Sequence, residues 1–143
     1  MKLSPIFVFL KNQLSEILEL QINVNCSIFL NNFRSSACGC LGAFVKWLPD
    51  DEVEMLIGEH FLVDDAANLD WTLRHGRSTG LFVALKLAAE RVYDVSDDRK
   101  RRVVAVLRSH LSADRVPIAQ NGVRSCGYLF QHLIAKVFNK FKF

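Results

Sequence analysis

One polar, glycine-bearing helix pattern recurs along this chain, and its spacing limits what the chain can become. The fullest copy is Asp70-Trp71-Thr72-Leu73-Arg74-His75-Gly76-Arg77, followed by a small and apolar run over residues 78–89. Asp70 suits the free amides of a first helical turn. It also precedes Arg74 by four residues, the acid-then-base order that favours both helix pairing and the helix dipole. Arg74, Arg77 and Ser78 share one side of that helix. Gly76 and Gly80 lie on an adjoining side, where each costs about 1 kcal/mol relative to Ala unless a neighbouring helix needs the space. Close helix packing is therefore expected.

The pattern has an echo on each side. Asn31-Asn32-Phe33-Arg34 leads into Ser35-Ser36-Ala37-Cys38-Gly39-Cys40-Leu41-Gly42, placing Arg34 forty residues before Arg74. Asp114-Arg115-Val116-Pro117-Ile118-Ala119 leads into Gly122-Val123-Arg124-Ser125-Cys126-Gly127, with Asp114 forty-four residues after Asp70. A period of roughly 40 to 47 residues is that of HEAT and armadillo arrays. Half of the 143 residues are hydrophobic, and three prolines with seven glycines are too few for a turn-rich sandwich. The fold class expected is all-α, an α-solenoid of about three HEAT-like antiparallel helix pairs, an armadillo-like superhelix.

Six helices can be placed. The first spans roughly 5–22 and the second 33–47. The third opens on Asp50-Asp51-Glu52 and presents Val53, Leu56, Ile57 and Phe61, with 63–69 as its connector. The fourth runs from Asp70 to about Tyr93. The fifth starts at Ser96, with Asp97 and Asp98 in its first turn, and the sixth at Asp114, with Pro117 tolerated in its first turn. No linker divides them. The chain reads as a single HEAT-repeat segment with approximate repeats 5–47, 49–93 and 96–140.

Composition excludes several function classes. The apolar run at residues 5–10 behind Lys2 is interrupted by Lys11, Glu16 and Glu19, which argues against a secretory leader, and no stretch approaches the roughly 18 apolar residues of a membrane span. Cys26, Cys38, Cys40 and Cys126 are scattered among apolar or small neighbours, as reduced thiols of a cytosolic protein are. The Cys38-Gly39-Cys40 spacing sends two thiolates about 200° apart on a helix, so no metal site is expected. No nucleophile, base and orienting group can be assembled, so neither catalysis, a cofactor nor a small-molecule substrate is expected. The net charge of +3 neither demands nor excludes a nucleic-acid partner.

With the strings at 71–77 and 113–119 in view, the chain resembles the general control nonderepressible protein one family. These are very large ribosome-associated HEAT-repeat proteins that activate the kinase phosphorylating the alpha subunit of translation initiation factor two. The likeness runs over about residues 32–133. It implies a cytosolic, non-catalytic scaffold in the amino-acid starvation response, with the ribosome and the RWD domain of that kinase as partners and no membrane. Residues 1–31 are not recognisable, Asn31-Asn32 stand where acidic residues are expected, and residues 136–143 end the chain where the family continues. The chain thus reads as a fragment, with apolar faces exposed at its ends and a tendency to associate.

Arg74, His75 and Arg77 are the candidate partner-binding residues, since Arg offers a rigid fork of donors and is favoured at interface centres. An internal ladder between repeats is the competing role for Arg74. Arg99-Lys100-Arg101-Arg102 is the densest basic run and the candidate ribosome or RNA contact, supporting an alternative function as a ribosome- or RNA-contacting module without kinase binding. Helical spacing spreads those four charges over most of a turn, the arrangement of an ordinary solvated helix start.

Overall fold

The computed structural model describes residue 12, residues 28–63 and residues 70–141. Apart from Asn12, the helix expected over 5–22 lies outside them, as does Cys26. Helix α1 spans Ile28–Phe44, α2 Asp50–Leu56, α3 Trp71–Val92, α4 Asp97–Leu111 and α5 Val116–Lys140. Among the described residues there is no strand, and the fold is an all-helical repeat. α3 lies between α1 and α5 and packs along both, while α4 packs chiefly on α5.

The starts of α2 to α5 follow from the sequence, α5 opening at Val116, two residues after the expected Asp114, while α1 is already helical at Ile28, ahead of the expected residue 33. Asp70 Oδ1 accepts from Thr72 N at 3.1 Å ahead of α3, and Ser96 Oγ accepts from Arg99 N at 3.1 Å ahead of α4. Three acids fill the first turn of α2, and Pro117 sits in the first turn of α5. The second helix ends at Phe44, three residues earlier than the expected Trp47, in a turn closed by Leu48 N donating to Phe44 O at 3.0 Å.

The helix ends follow a different rule. No described residue has positive φ, so none of these helices closes on a left-handed glycine. Arginines from elsewhere in the chain serve the terminal carbonyls instead. Arg91 donates to Val45 O at 2.6 Å past α1, Arg99 to Val92 O at 3.3 Å at the end of α3, and Arg74 to Ser109 O at 2.8 Å near the end of α4. Each bond joins a charged donor to a carbonyl that its own helix leaves orphaned.

Two irregularities had no local signal. α2 widens into a π-helical turn over Ile57–Phe61, closed by Leu62 N donating to Ile57 O at 2.9 Å, and Arg102 donates to Gly58 O there at 3.0 Å. α3 kinks at Ala88, whose φ of −151° and ψ of 51° leave the helical region. The expected apolar stripe of the third helix survives the widening: Val53, Leu56, Ile57 and Phe61 are all buried.

The glycines are spent on close approach, but not uniformly on backbone. A Cβ on Gly42 would stand 2.4 Å from Gly80 O, so the α1 and α3 backbones touch there. A Cβ on Gly80 would stand 2.3 Å from the Phe61 ring, and one on Gly76 would meet Cys38 Sγ at 3.0 Å and Arg34 Cγ at 3.2 Å. The space beside Gly76 and Gly80 is thus taken by side chains. The helix-to-helix contact runs through Gly42.

Candidate functional site

The polar start of α3 is tied down from α1. Arg34, fully buried, donates through Nη1 to Asp70 Oδ2 at 3.2 Å and to Thr72 Oγ1, while Thr72 Oγ1 donates to Asp70 Oδ1. Burial alone would raise the Asp70 pKa, but the Thr72 hydroxyl and the Arg34 charge outweigh it and hold the carboxyl below its ordinary value. One guanidinium therefore joins α1 to the start of α3. It also stands near Cys38, whose thiol burial nonetheless pushes up to about 12, an inert core cysteine.

The three candidate residues of α3 do not form one patch. Arg74 turns to α4, donating to Ser109 O at 2.8 Å and Ser109 Oγ at 2.7 Å, which gives it an internal role between repeats. Arg77 is half-buried, close enough to α1 for its charge to act on Cys38. His75 stands near enough to α5 for the Arg124 charge to act on it, and its pKa is lowered by burial and then by that charge.

Around His75 the structure assembles residues that sequence reasoning did not select. Trp71 stacks on His75 with centroids 5.9 Å apart and planes at 24°, and the Arg115 guanidinium lies 4.9 Å from the Trp71 centroid. Arg124 lies 5.5 Å from the Phe82 centroid and donates to Asn121 Oδ1 at 3.2 Å, while Asn121 Nδ2 donates to Ser78 Oγ and Thr79 Oγ1, each at 3.0 Å. Farther along the same seam Lys86 sits 5.8 Å from the Tyr128 centroid. Cations alternate with rings along the α3–α5 boundary. The signal that could have found Arg115 and Arg124 was the third echo itself, which puts Arg115 ahead of α5, over Trp71 at the start of α3, and Arg124 two turns into α5, over Phe82.

The basic run of α4 is taken apart by its own helix. Arg99 is 2 % exposed, pairs with Glu54 and donates to Val92 O, so its selection as an RNA contact is corrected. The Ser96 cap sets the register that puts residue 99 on the buried side with Val103, Val106 and His110. Arg102 is half-buried and committed to Gly58 O. Lys100 lies 5.6 Å from the Tyr93 centroid, and Arg101, exposed, stands 3.9 Å from Asp98. Only Lys100 and Arg101 remain as surface cations of the run.

Among the described residues no three His, Cys, Asp or Glu side chains gather as a metal site, and no helix is long and apolar enough to cross a membrane.

A family model described as "Stalled ribosome sensor GCN1-like, HEAT repeats" matches residues 10–140. The chain is 36% identical over 104 residues to "Stalled ribosome sensor GCN1" of Mus musculus and, to the same extent, to that of Homo sapiens. The match covers 73% of this chain and 4% of each relative, so the chain spans a small part of their length. No solved structure matches significantly. The helical repeat of the described residues and these matches agree: the chain belongs to the stalled ribosome sensor GCN1-like HEAT-repeat family.

Proposed function

We propose that the chain is a non-catalytic scaffold segment in translational stress control. It works in the cytosol on ribosomes, and the start of α3 with the first turns of α5 receives the RWD domain of the kinase acting on translation initiation factor two. The observation supporting this reading is the Arg115–Trp71–His75 stack beside Arg124. Trp and Arg dominate interface centres, and a guanidinium already held on a ring loses less freedom on binding. An acidic surface on the partner fits such a face. Arg74 is bonded to Ser109 of α4 and Arg77 stands near Cys38 of α1, so the face proposed is carried by Arg115 and Arg124.

The test compares capture of the RWD domain with a thermal melt. Reversing both Arg115 and Arg124 to Glu is expected to abolish capture and leave melting nearly unchanged, because exposed charges contribute little to stability and much to encounter. Arg74→Glu is expected to lower the melt, and with it capture, since Ser109 O loses its donor. A folded Arg115/Arg124 variant that still captures the domain normally removes this face from the site.

A second reading, an RNA-contacting module without kinase binding, draws on the groove where Lys100 and Arg101 meet Tyr93 and Arg108. It requires steeply salt-dependent ribosome binding lost in an Arg101→Glu/Arg108→Glu variant.

A further inference from the structure

Asn121 lies buried in the seam between α3 and α5, 2 % exposed and one turn before the exposed Arg124. Its amide has only one possible orientation. Ser78 Oγ donates to His75 O at 2.8 Å and Thr79 Oγ1 donates to the same carbonyl at 2.9 Å, which commits the single proton of each hydroxyl. Both oxygens can then only accept, so the group 3.0 Å from each of them must be Asn121 Nδ2. The opposite end of the amide gives the same answer. A guanidinium is all donor, so the atom that meets Arg124 Nη1 at 3.2 Å must be Oδ1. Ser35 Oγ of α1, 2.9 Å from Thr79 Oγ1, is likewise left to donate, and Thr79 Oγ1 accepts from both neighbouring helices.

These bonds form a directed chain across three helices, from Ser35 and Thr79 through Asn121 to Arg124. We infer that Asn121 is the positioning residue of the proposed partner face: its amide, locked by Ser78 and Thr79, aims Oδ1 at Arg124 and holds that guanidinium over the Phe82 ring. The inference rests on the kinase-binding reading for the meaning of the face, and on the seam alone for the positioning. Arg124 lies 5.5 Å from the Phe82 centroid, so the ring supports it on one side while Asn121 Oδ1 holds Nη1. A loose arginine gives up many rotamers on binding, whereas a fork already held at two points gives up fewer. The residue type fits the task. Aspartate would offer Arg124 a charged acceptor, but its second oxygen would face two hydroxyls whose protons are already used. An amide has an acceptor at one end and two donors at the other.

The Arg124 side chain reports this directly by nuclear magnetic resonance in the intact, isotope-labelled chain. Its Nη signals, assigned by their loss in Arg124→Lys, should be resolved at low temperature because the bond to Asn121 slows rotation of the guanidinium. Asn121→Leu nearly keeps the volume and orphans no hydroxyl proton, since those of Ser78 and Thr79 stay on His75 O. It should speed that rotation roughly tenfold or more and merge the signals. Thr79→Val, a near-isostere, removes one of the two acceptors of Nδ2 and should fall between the two; it carries the test where the Leu variant does not fold. Unchanged rotation in a folded variant, whatever its melting temperature, leaves Asn121 a packing role and overturns the inference. So do Nη signals already averaged in the wild type.

Capture of the RWD domain supplies the second arm. Asn121→Leu should weaken it roughly three- to tenfold, the scale of freeing one held side chain, and should add nothing on an Arg124→Ala background. Additive losses overturn the inference. A wild-type chain that captures no RWD domain defeats the kinase-binding reading, and the rotation measurement then decides the positioning by itself.

Discussion

The α1–α3 crossing and the outward face of α5 are built from the same ingredients and differ in whether the described residues use them. Both place a glycine among apolar residues on one side of a long helix. At Gly42 the opposing backbone occupies the space a Cβ would need, and just along the crossing the buried Arg34 guanidinium is bonded to Asp70 and Thr72. At Gly127 nothing described opposes the helix, and the apolar side chains on either side stand in solvent. A glycine in a helix is thus a statement about a neighbour. The two sites differ in whether that neighbour is among the described residues.

The contrast can be broken in stages. Arg34→Ala leaves the Asp70 carboxylate without its partner from α1 and opens a void in the crossing. A loss of about 3 to 5 kcal/mol in urea unfolding is expected, the range for breaking a buried pair from one side. A loss below about 1 kcal/mol, the scale of a surface pair, would show that this end of the crossing carries little. Gly42→Ala should cost less, about 1 to 3 kcal/mol, since the α1 and α3 backbones must move apart to admit one methyl group. An unchanged melting temperature would mean that the close approach is not required.

Acid sharpens the same point with a smaller effect. Asp70 and Asp94 are both held below the ordinary carboxylate pKa. Burial opposes this in each case and is outweighed, at Asp70 by Thr72 and Arg34 and at Asp94 by Lys136 and His132. Their folded pKa values lie below the unfolded ones, so the stability they contribute is present above the unfolded value and lost as pH falls through the folded one. Asp70→Asn should therefore flatten the acid limb of a stability profile below about pH 4. A limb identical to wild type would discard the Asp70 contribution.

Gly127→Ala gives the smallest effect and the opposite sign. In dilute solution it should stabilise the chain by up to about 1 kcal/mol, because an exposed helical position gains propensity and meets no clash. Destabilisation at that concentration would place an undescribed neighbour against α5. Gly42→Ala and Gly127→Ala, measured side by side, form the direct test of the contrast.

Local chemistry made much of this legible. The starts of α3 and α4 follow from Asp70 and Ser96, whose side chains reach amides two and three residues on, and the apolar stripe of α2 buries the four residues its period selects. The strings at 71–77 and 113–119 carried the family. Site residues were less legible. Arg74, His75 and Arg77 are adjacent in sequence, yet a helix turns about 100° per residue, setting His75 against Trp71 and sending Arg74 to α4.

What the sequence determined by itself, then, was whatever depends on interactions a few residues long: helix periodicity, N-caps, the repeat interval and the fold class. The tertiary structure alone decided which charges are buried. Arg34 and Arg99 look like surface residues in composition, and each lies in the interior because an acceptor 36 or 7 residues away is fixed there by another helix. It alone decided the widened turn at Ile57–Phe61, the kink at Ala88 and the use of arginines to close helix ends. The physical reason is common to all of them. A carbonyl or a cavity left open by one helix sets no local preference in the chain that fills it, so the match exists only once the helices are packed.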